Sequence, residues 1–150
     1  MELPICALMD AKLKDRLAAT IARLGITTVV ETGIDKGGST FLFSTMVPRV
    51  IGIDNDPNKV EIVVQMLSAE GVTNVHLLQM DSPTALRMLV SGNTIEVRQT
   101  LFFLDAHWQA YWPLKDEIRA IPRGQGGLVM HDARVPGCPD LGVDEYDGQE

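Results

Sequence analysis

Five short groups of polar residues in this chain could do chemistry, and each follows an apolar run. Acids and histidines dominate these groups. A carboxylate directly after a buried strand is costly unless it is solvated or has a partner, so this repeated placement favours a shared site. The groups are Glu31 with the glycines after it, Asp54, Asp81-Ser82, Asp105-Ala106-His107-Trp108 and His131-Asp132.

The stretch after Glu31 contains three glycines and a serine: Gly33, Gly37, Gly38 and Ser39. The glycines would let the backbone turn tightly and approach a ligand, and free N–H groups at Ser39 would bind a carboxylate or phosphate. The dinucleotide pattern G-x-G-x-x-G is not met, because Asp35 replaces its middle glycine. The stretch indicates either a ligand with anionic and cationic parts or a plain strand–turn–helix unit.

Three further groups each have two interpretations. Asp54 would accept hydrogen bonds from both hydroxyls of a ribose or cap a helix, although Asp56 is better placed as the cap. Asp81 and Ser82 would meet the edge of an adenine or cap the next helix, and Ser82 before a proline favours the cap. Trp108 would stack on a base or pack in the core.

Asp105, His131 and Asp132 lie at the ends of two predicted neighbouring strands. Carboxylates with an imidazole would bind Mg²⁺ or another divalent ion, and the alternative is a solvated acid cluster. His107 or His131 would accept a proton from a substrate if it is not a metal ligand. Asp105, His107 and His131 are therefore the candidate catalytic residues.

The apolar pattern predicts five strands alternating with helices, which would bring these groups together. Strands are predicted at 27–31, 50–54, 75–80, 100–105 and 127–131, and helices at 10–24, 38–46, 57–70, 82–91 and 113–120. Such alternation implies right-handed βαβ units, a mostly parallel sheet and a three-layer αβα fold. Continuous apolar runs predict strands covered on both faces. Ligands of such sheets bind at the carboxyl ends of the strands.

Size and composition predict one soluble domain over residues 1–150, because 45% of the residues are hydrophobic and 22% are charged. A net charge of −7 argues against nucleic acid as the partner. No apolar run approaches the roughly 20 residues of a membrane span. Cys6 and Cys138 form no metal or redox motif and fit a reducing compartment, so the cytoplasm is the expected location.

Four motifs in order resemble the class I S-adenosylmethionine (SAM) methyltransferases. They are E-T-G-x-x-x-G-G-S-T, I-G-I-D-N-D-P, F-F-L-D-A-H-W and H-D-A-R-V-P-G-C-P-D, and they cover roughly residues 27–140. The chain is similar in particular to metal-dependent small-molecule O-methyltransferases of the catechol, antibiotic and sugar types. The resemblance implies a Rossmann-like fold, SAM as cofactor and O-methylation of a small-molecule hydroxyl, with a divalent ion.

Site roles also follow from the resemblance. It implies a ribose contact from Asp54 and adenine contacts near Ser82, His107 and Trp108. The methionine part of SAM would be surrounded by Glu31, Gly33, Gly37 and Ser39. Metal would be held by Asp105 and Asp132, with His131 where the catechol family has an aspartate. The cofactor-binding residues are Glu31, Gly33, Gly37, Gly38, Ser39, Asp54, Asp81, Ser82, Asp105 and Trp108.

The chain departs from the family at two places. Gln109 stands where the catechol enzymes have a general-base lysine, so another base such as His107 is needed. About 18 residues follow Asp132, too few for the family's final helix and hairpin. We expect a truncated sheet whose open edge is covered by a homo-oligomer or a partner. The alternatives to an active enzyme are an inactive SAM-binding module and, on a related sheet, a nicotinamide-dependent oxidoreductase.

Overall fold

The computed structural model describes residues 11–107 and 111–131, which form a five-stranded sheet with helices. The strands are β1 (Thr28–Thr32), β2 (Arg49–Asp54), β3 (Val75–Gln79), β4 (Thr100–Leu104) and β5 (Gly127–Met130). The helices are α1 (Ala11–Leu24), α2 (Gly38–Ser44), α3 (Pro57–Ala69), α4 (Ser82–Ser91) and α5 (Leu114–Ala120). All ten predicted elements are present. The 3-10 helix at Val97–Gln99 was not predicted.

The sheet is parallel throughout, with the strand order β3-β2-β1-β4-β5. The chain starts at the central strand, builds outward to β3 and then returns to the other side of β1 at β4. Ligands of open α/β sheets bind where the order reverses in this way. Thr32 pairs with both Ile53 and Leu104, so the residues that follow β1, β2 and β4 emerge at one level.

Neighbouring residues of each strand face opposite layers, which confirms the three-layer fold. Val29 packs in a core with Leu17 of α1 and Phe43 of α2. Val30 packs on the opposite face in a core built with α4 and α5, whose members include Leu86 and Leu114. Burial of these apolar side chains on both faces is the main favourable term that holds the layers together.

Central and outer strands differ in how they are covered. All residues of β1 and β4 are buried, as their apolar runs predict. No residue of β3 or β5 is fully buried, and Leu128 and Met130 are each 44% exposed. The prediction of coverage on both faces is therefore wrong for these two strands, because they lie at the margin of the helical layers. Leu24 at the end of α1 is also exposed.

Candidate functional site

A cavity of about 960 Å³ lies at the carboxyl ends of the strands, and residues that follow all five strands line it. Its size falls in the range of roughly 300–1,000 Å³ that is usual for small-molecule sites. The topology therefore brings the polar groups of the sequence to one place. Six of the predicted site residues line this cavity: Gly33, Asp54, Ser82, Asp105, His107 and His131.

Glu31 lies outside the cavity wall and is fully buried. Its carboxylate accepts hydrogen bonds from the hydroxyls of Ser39 and Thr40, the latter at 2.6 Å. Burial raises the pKa of Glu31 to about 7, although both hydroxyls act to lower it. The contacts tie the end of β1 to the first turn of α2. Glu31 thus positions the glycine-rich turn from behind the cavity.

Gly33 and Gly37 are required in the turn for different structural reasons. Gly33 has φ +78°, and a Cβ there would lie 2.5 Å from the carbonyl oxygen of Asp105. This close approach brings the turn after β1 against the end of β4, and both line the cavity. A Cβ at Gly37 would lie 2.5 Å from Met66 Cε, so this glycine permits packing against α3. Gly37, Gly38 and Ser39 are not part of the cavity wall.

Asp54 is held rigidly at the end of β2, where it is 7% exposed and lines the cavity. One carboxylate oxygen accepts the N–H of Ile34 at 3.1 Å, and the other accepts the N–H of Asp56 at 2.9 Å. Each oxygen keeps a second lone pair, so the carboxylate can still accept two hydroxyl protons. The helix cap belongs to Asp56, which accepts the N–H of Asn58 at 2.8 Å.

Of the two roles predicted for Asp81 and Ser82, Asp81 is the helix cap and Ser82 lines the cavity. Asp81 caps α4 by accepting the N–H of Thr84 at 3.1 Å, and it does not line the cavity. The prediction that favoured Ser82 as the cap is wrong, because Ser82 is the first helical residue and lies on the cavity wall. Its hydroxyl is buried and has no hydrogen-bond partner in the described part of the chain.

Asp105 and His131 meet at the cavity wall, where Asp105 Oδ1 lies 2.9 Å from His131 Nδ1. The distance is that of an ion pair, but the ring nitrogen is not aligned for a hydrogen bond to this oxygen. His107 is exposed on the same wall. Trp108 and Asp132 lie outside the described residues. Within 11–107 and 111–131, no three His, Cys, Asp or Glu side chains form a group that could hold a metal ion.

Two residues of the cavity wall, Tyr111 and Lys59, and one buried acid, Glu117, were not singled out from the sequence. Tyr111 lines the cavity, and its hydroxyl donates to Asp116 at 2.7 Å, which raises the pKa of Tyr111. Lys59 lines the cavity and lies 3.7 Å from Asp35. Glu117 of α5 is fully buried, and burial raises the pKa of its carboxyl.

Solved structures with this arrangement are methyltransferases and related proteins. A candidate caffeoyl-CoA O-methyltransferase from Staphylococcus aureus matches 87% of this chain, with a TM-score of 0.65 and 16% identity. A precorrin 8W decarboxylase from Methanobacterium thermoautotrophicum matches 85%, with a TM-score of 0.59 and 22% identity. A Podospora anserina methyltransferase with S-adenosylhomocysteine (SAH) bound matches 75%, with a TM-score of 0.57 and 18% identity. The matches span 60%, 64% and 47% of those proteins.

The fold shared with these proteins is that of the class I SAM-dependent methyltransferases, which confirms the fold predicted from the four motifs. No family model and no curated protein matches this chain in sequence. None of the helices in the described residues is long and apolar enough to cross a membrane.

Proposed function

We propose that this chain is a SAM-dependent methyltransferase that methylates a hydroxyl group of a small molecule. The observation that carries the proposal is the Asp54 carboxylate, fixed at the end of β2 and facing a cavity at the reversal point of the sheet. A ribose diol offers two hydroxyl donors to such a carboxylate. The bound SAH of the Podospora anserina neighbour supports this class of cofactor.

The charge and shape of the wall fit SAM. Among the described residues, four aspartates line the cavity against one lysine, Lys59, which favours a ligand with a cationic part. The bare backbone at Gly33 allows close approach between β1 and β4. Ser82 offers a buried hydroxyl that makes no hydrogen bond of standard geometry within residues 11–107 and 111–131. When bound, SAM supplies a methyl group on a positively charged sulfur.

The acceptor must lose its hydroxyl proton as its oxygen bonds to the methyl carbon and the carbon–sulfur bond breaks. We assign this proton to His131, because the Asp105 carboxylate, 2.9 Å from its ring nitrogen, would stabilise the imidazolium that forms. The rest of the rate would come from alignment of the two reactants. His107 is the weaker candidate because its side chain is exposed.

The proposed reaction uses a protein base and no metal ion. The described residues offer two neighbouring donors, Asp105 and His131, and no group of three, so an ion held here would keep several waters as ligands. The third ligand implied by the resemblance, Asp132, lies outside the described residues. Methyl transfer that survives EDTA agrees with a protein base, whereas a strict requirement for added Mg²⁺ would return the metal to the mechanism.

Radiolabelled methyl transfer tests the proposed reaction. The purified chain is incubated with SAM labelled at the methyl group and a panel of catechols, phenols and sugars. We expect label in an extractable methyl ether of one acceptor class, and loss of that label in His131→Gln. A folded chain that binds SAH but labels none of the classes would favour the alternative of a SAM-binding module. Support for O-methylation comes from O-methyltransferases among the structural neighbours.

A further inference from the structure

Three buried polar atoms beneath the cavity have no hydrogen-bond partner among the described residues. They are the hydroxyl oxygen of Ser82 and both carboxyl oxygens of Glu117. Glu117 is 0% exposed and Ser82 is 2% exposed, so solvent does not satisfy these atoms. Buried polar groups are nearly always paired, and a carboxyl left without partners is destabilising. A group that persists in this state is therefore a candidate for a role in binding.

Glu117 occupies the first turn of α5, which packs against α4, and its carboxyl lies near two hydroxyls. These are the hydroxyls of Ser82 and Thr32, which act to lower the pKa of Glu117, whereas burial and the nearby Asp105 raise it. Neither hydroxyl makes a hydrogen bond of standard geometry with the carboxyl. Of the two hydroxyl residues, Ser82 also lines the cavity. Ser82 therefore connects Glu117 to any ligand that the cavity holds.

The available donors fix the direction of the hydrogen bonds that link Thr32, Glu117 and Ser82. Thr32 Oγ1 already accepts the N–H of Asp105 at 3.3 Å, so the Thr32 proton is available to Glu117. A protonated Glu117 would then donate to Ser82 Oγ, and the Ser82 proton would be directed into the cavity. Hydrogen bonds in such a chain polarise and strengthen one another. The chain ends at a single donor on the cavity wall.

We propose that Glu117 is a positioning residue that holds the Ser82 hydroxyl as a hydrogen-bond donor toward N1 of the cofactor's purine, the ring nitrogen beside the exocyclic group. This inference rests on the proposed function, because SAM supplies the purine. Adenine carries unprotonated nitrogens on its ring. Hypoxanthine carries a proton on the ring nitrogen beside its exocyclic group, so a fixed donor would face another donor there. The site would therefore prefer adenine to hypoxanthine.

Calorimetric titration with SAH and with S-inosylhomocysteine tests this inference. We expect the wild-type chain to bind SAH at least tenfold more tightly than the inosyl analogue. Glu117→Met should bind SAH at least fivefold more weakly and lose most of the preference, because the Ser82 hydroxyl would lose the partner that directs its proton into the cavity. Glu117→Gln should retain the preference, because its amide N–H can donate to Ser82. Ser82→Ala should lose the preference.

The outcomes separate this inference from the proposed function. If Glu117→Met and Ser82→Ala keep the wild-type affinity and preference, the inference is wrong and the SAM site stands. If Glu117→Met does not fold, Glu117→Gln and Ser82→Ala still decide, since a preference that survives in Ser82→Ala contradicts the donor. If the folded wild-type chain binds no SAH, the proposed function fails and this inference fails with it.

Discussion

The carboxylate of Asp54 accepts the backbone N–H of Ile34 at 3.1 Å, which joins the end of β2 to the turn after β1. The other carboxylate oxygen accepts the N–H of Asp56, so the side chain is held from both sides. A carboxylate fixed in this way loses little conformational freedom when a ligand binds. The geometry favours Asp54 as the recognition group for the ribose.

Replacement of Asp54 by alanine should weaken SAH binding by about 1–3 kcal/mol, because the ribose hydroxyls would lose their acceptor in a buried site. Isothermal titration calorimetry measures the change. Asp81→Ala is a matched control, since Asp81 caps α4 but does not line the cavity. That variant should lose about 1 kcal/mol of stability and keep its affinity. Unchanged SAH affinity in folded Asp54→Ala would refute the ribose assignment.

Gly33→Ala should destabilise the fold more than the same change at Gly25. Both glycines have positive φ, and for alanine that conformation costs roughly 1–2 kcal/mol. A Cβ at Gly25 meets nothing within 4 Å, whereas at Gly33 it would lie 2.5 Å from the Asp105 carbonyl oxygen. Urea denaturation of both variants isolates the cost of the clash. Equal losses of stability would show that the approach between β1 and β4 is not tight.

Glu31 should make the stability of the chain depend on pH. Its folded-state pKa is raised from 4.5 to about 7 by burial, so its contribution to stability is complete below pH 4.5 and is lost as the pH rises through 7. The pKa difference corresponds to about 3 kcal/mol. Urea denaturation of the wild-type chain and of Glu31→Gln at several pH values from 4 to 8 measures this contribution to the unfolding free energy. The difference in unfolding free energy between them should fall over this window, and a constant difference would contradict the buried-acid assignment.

His131→Gln should lower kcat by roughly 10²–10⁴-fold and leave SAH affinity within about twofold of wild type, because the imidazole takes the acceptor proton in the proposed reaction. His107→Gln is the comparison, since His107 lines the same cavity but is exposed. It should retain most of the rate. If kcat falls further in His107→Gln than in His131→Gln, His107 is the residue that accepts the proton and His131 is not.

The sequence was sufficient to predict the ten elements and the edge at which the site lies. Buried parallel strands leave long apolar runs, and the polar residues directly after them fall at one level of the sheet. Asp54 could be assigned in this way because its position follows from the strand end alone.

Other features depend on tertiary contacts that local patterns do not encode. Glu31 has the sequence position of a ligand-binding acid, but its carboxylate turns back to Ser39 and Thr40. Glu117 could not be found because an acid in a short helix with neighbouring charges is usually solvated, and its burial results from packing between α5 and α4. Tyr111 lines the cavity but belongs to none of the helices and strands, so no periodic pattern predicts its position.

Calorimetric titration of the wild-type chain with SAH, with and without Mg²⁺, tests the central claim most directly. We predict saturable binding of one SAH per chain, with an affinity that does not change when Mg²⁺ is added, because Asp54 and the backbone after β1 hold the ligand without a metal. A folded chain that shows no heat of binding with SAH in either condition would contradict the assignment of this cavity as a SAM site.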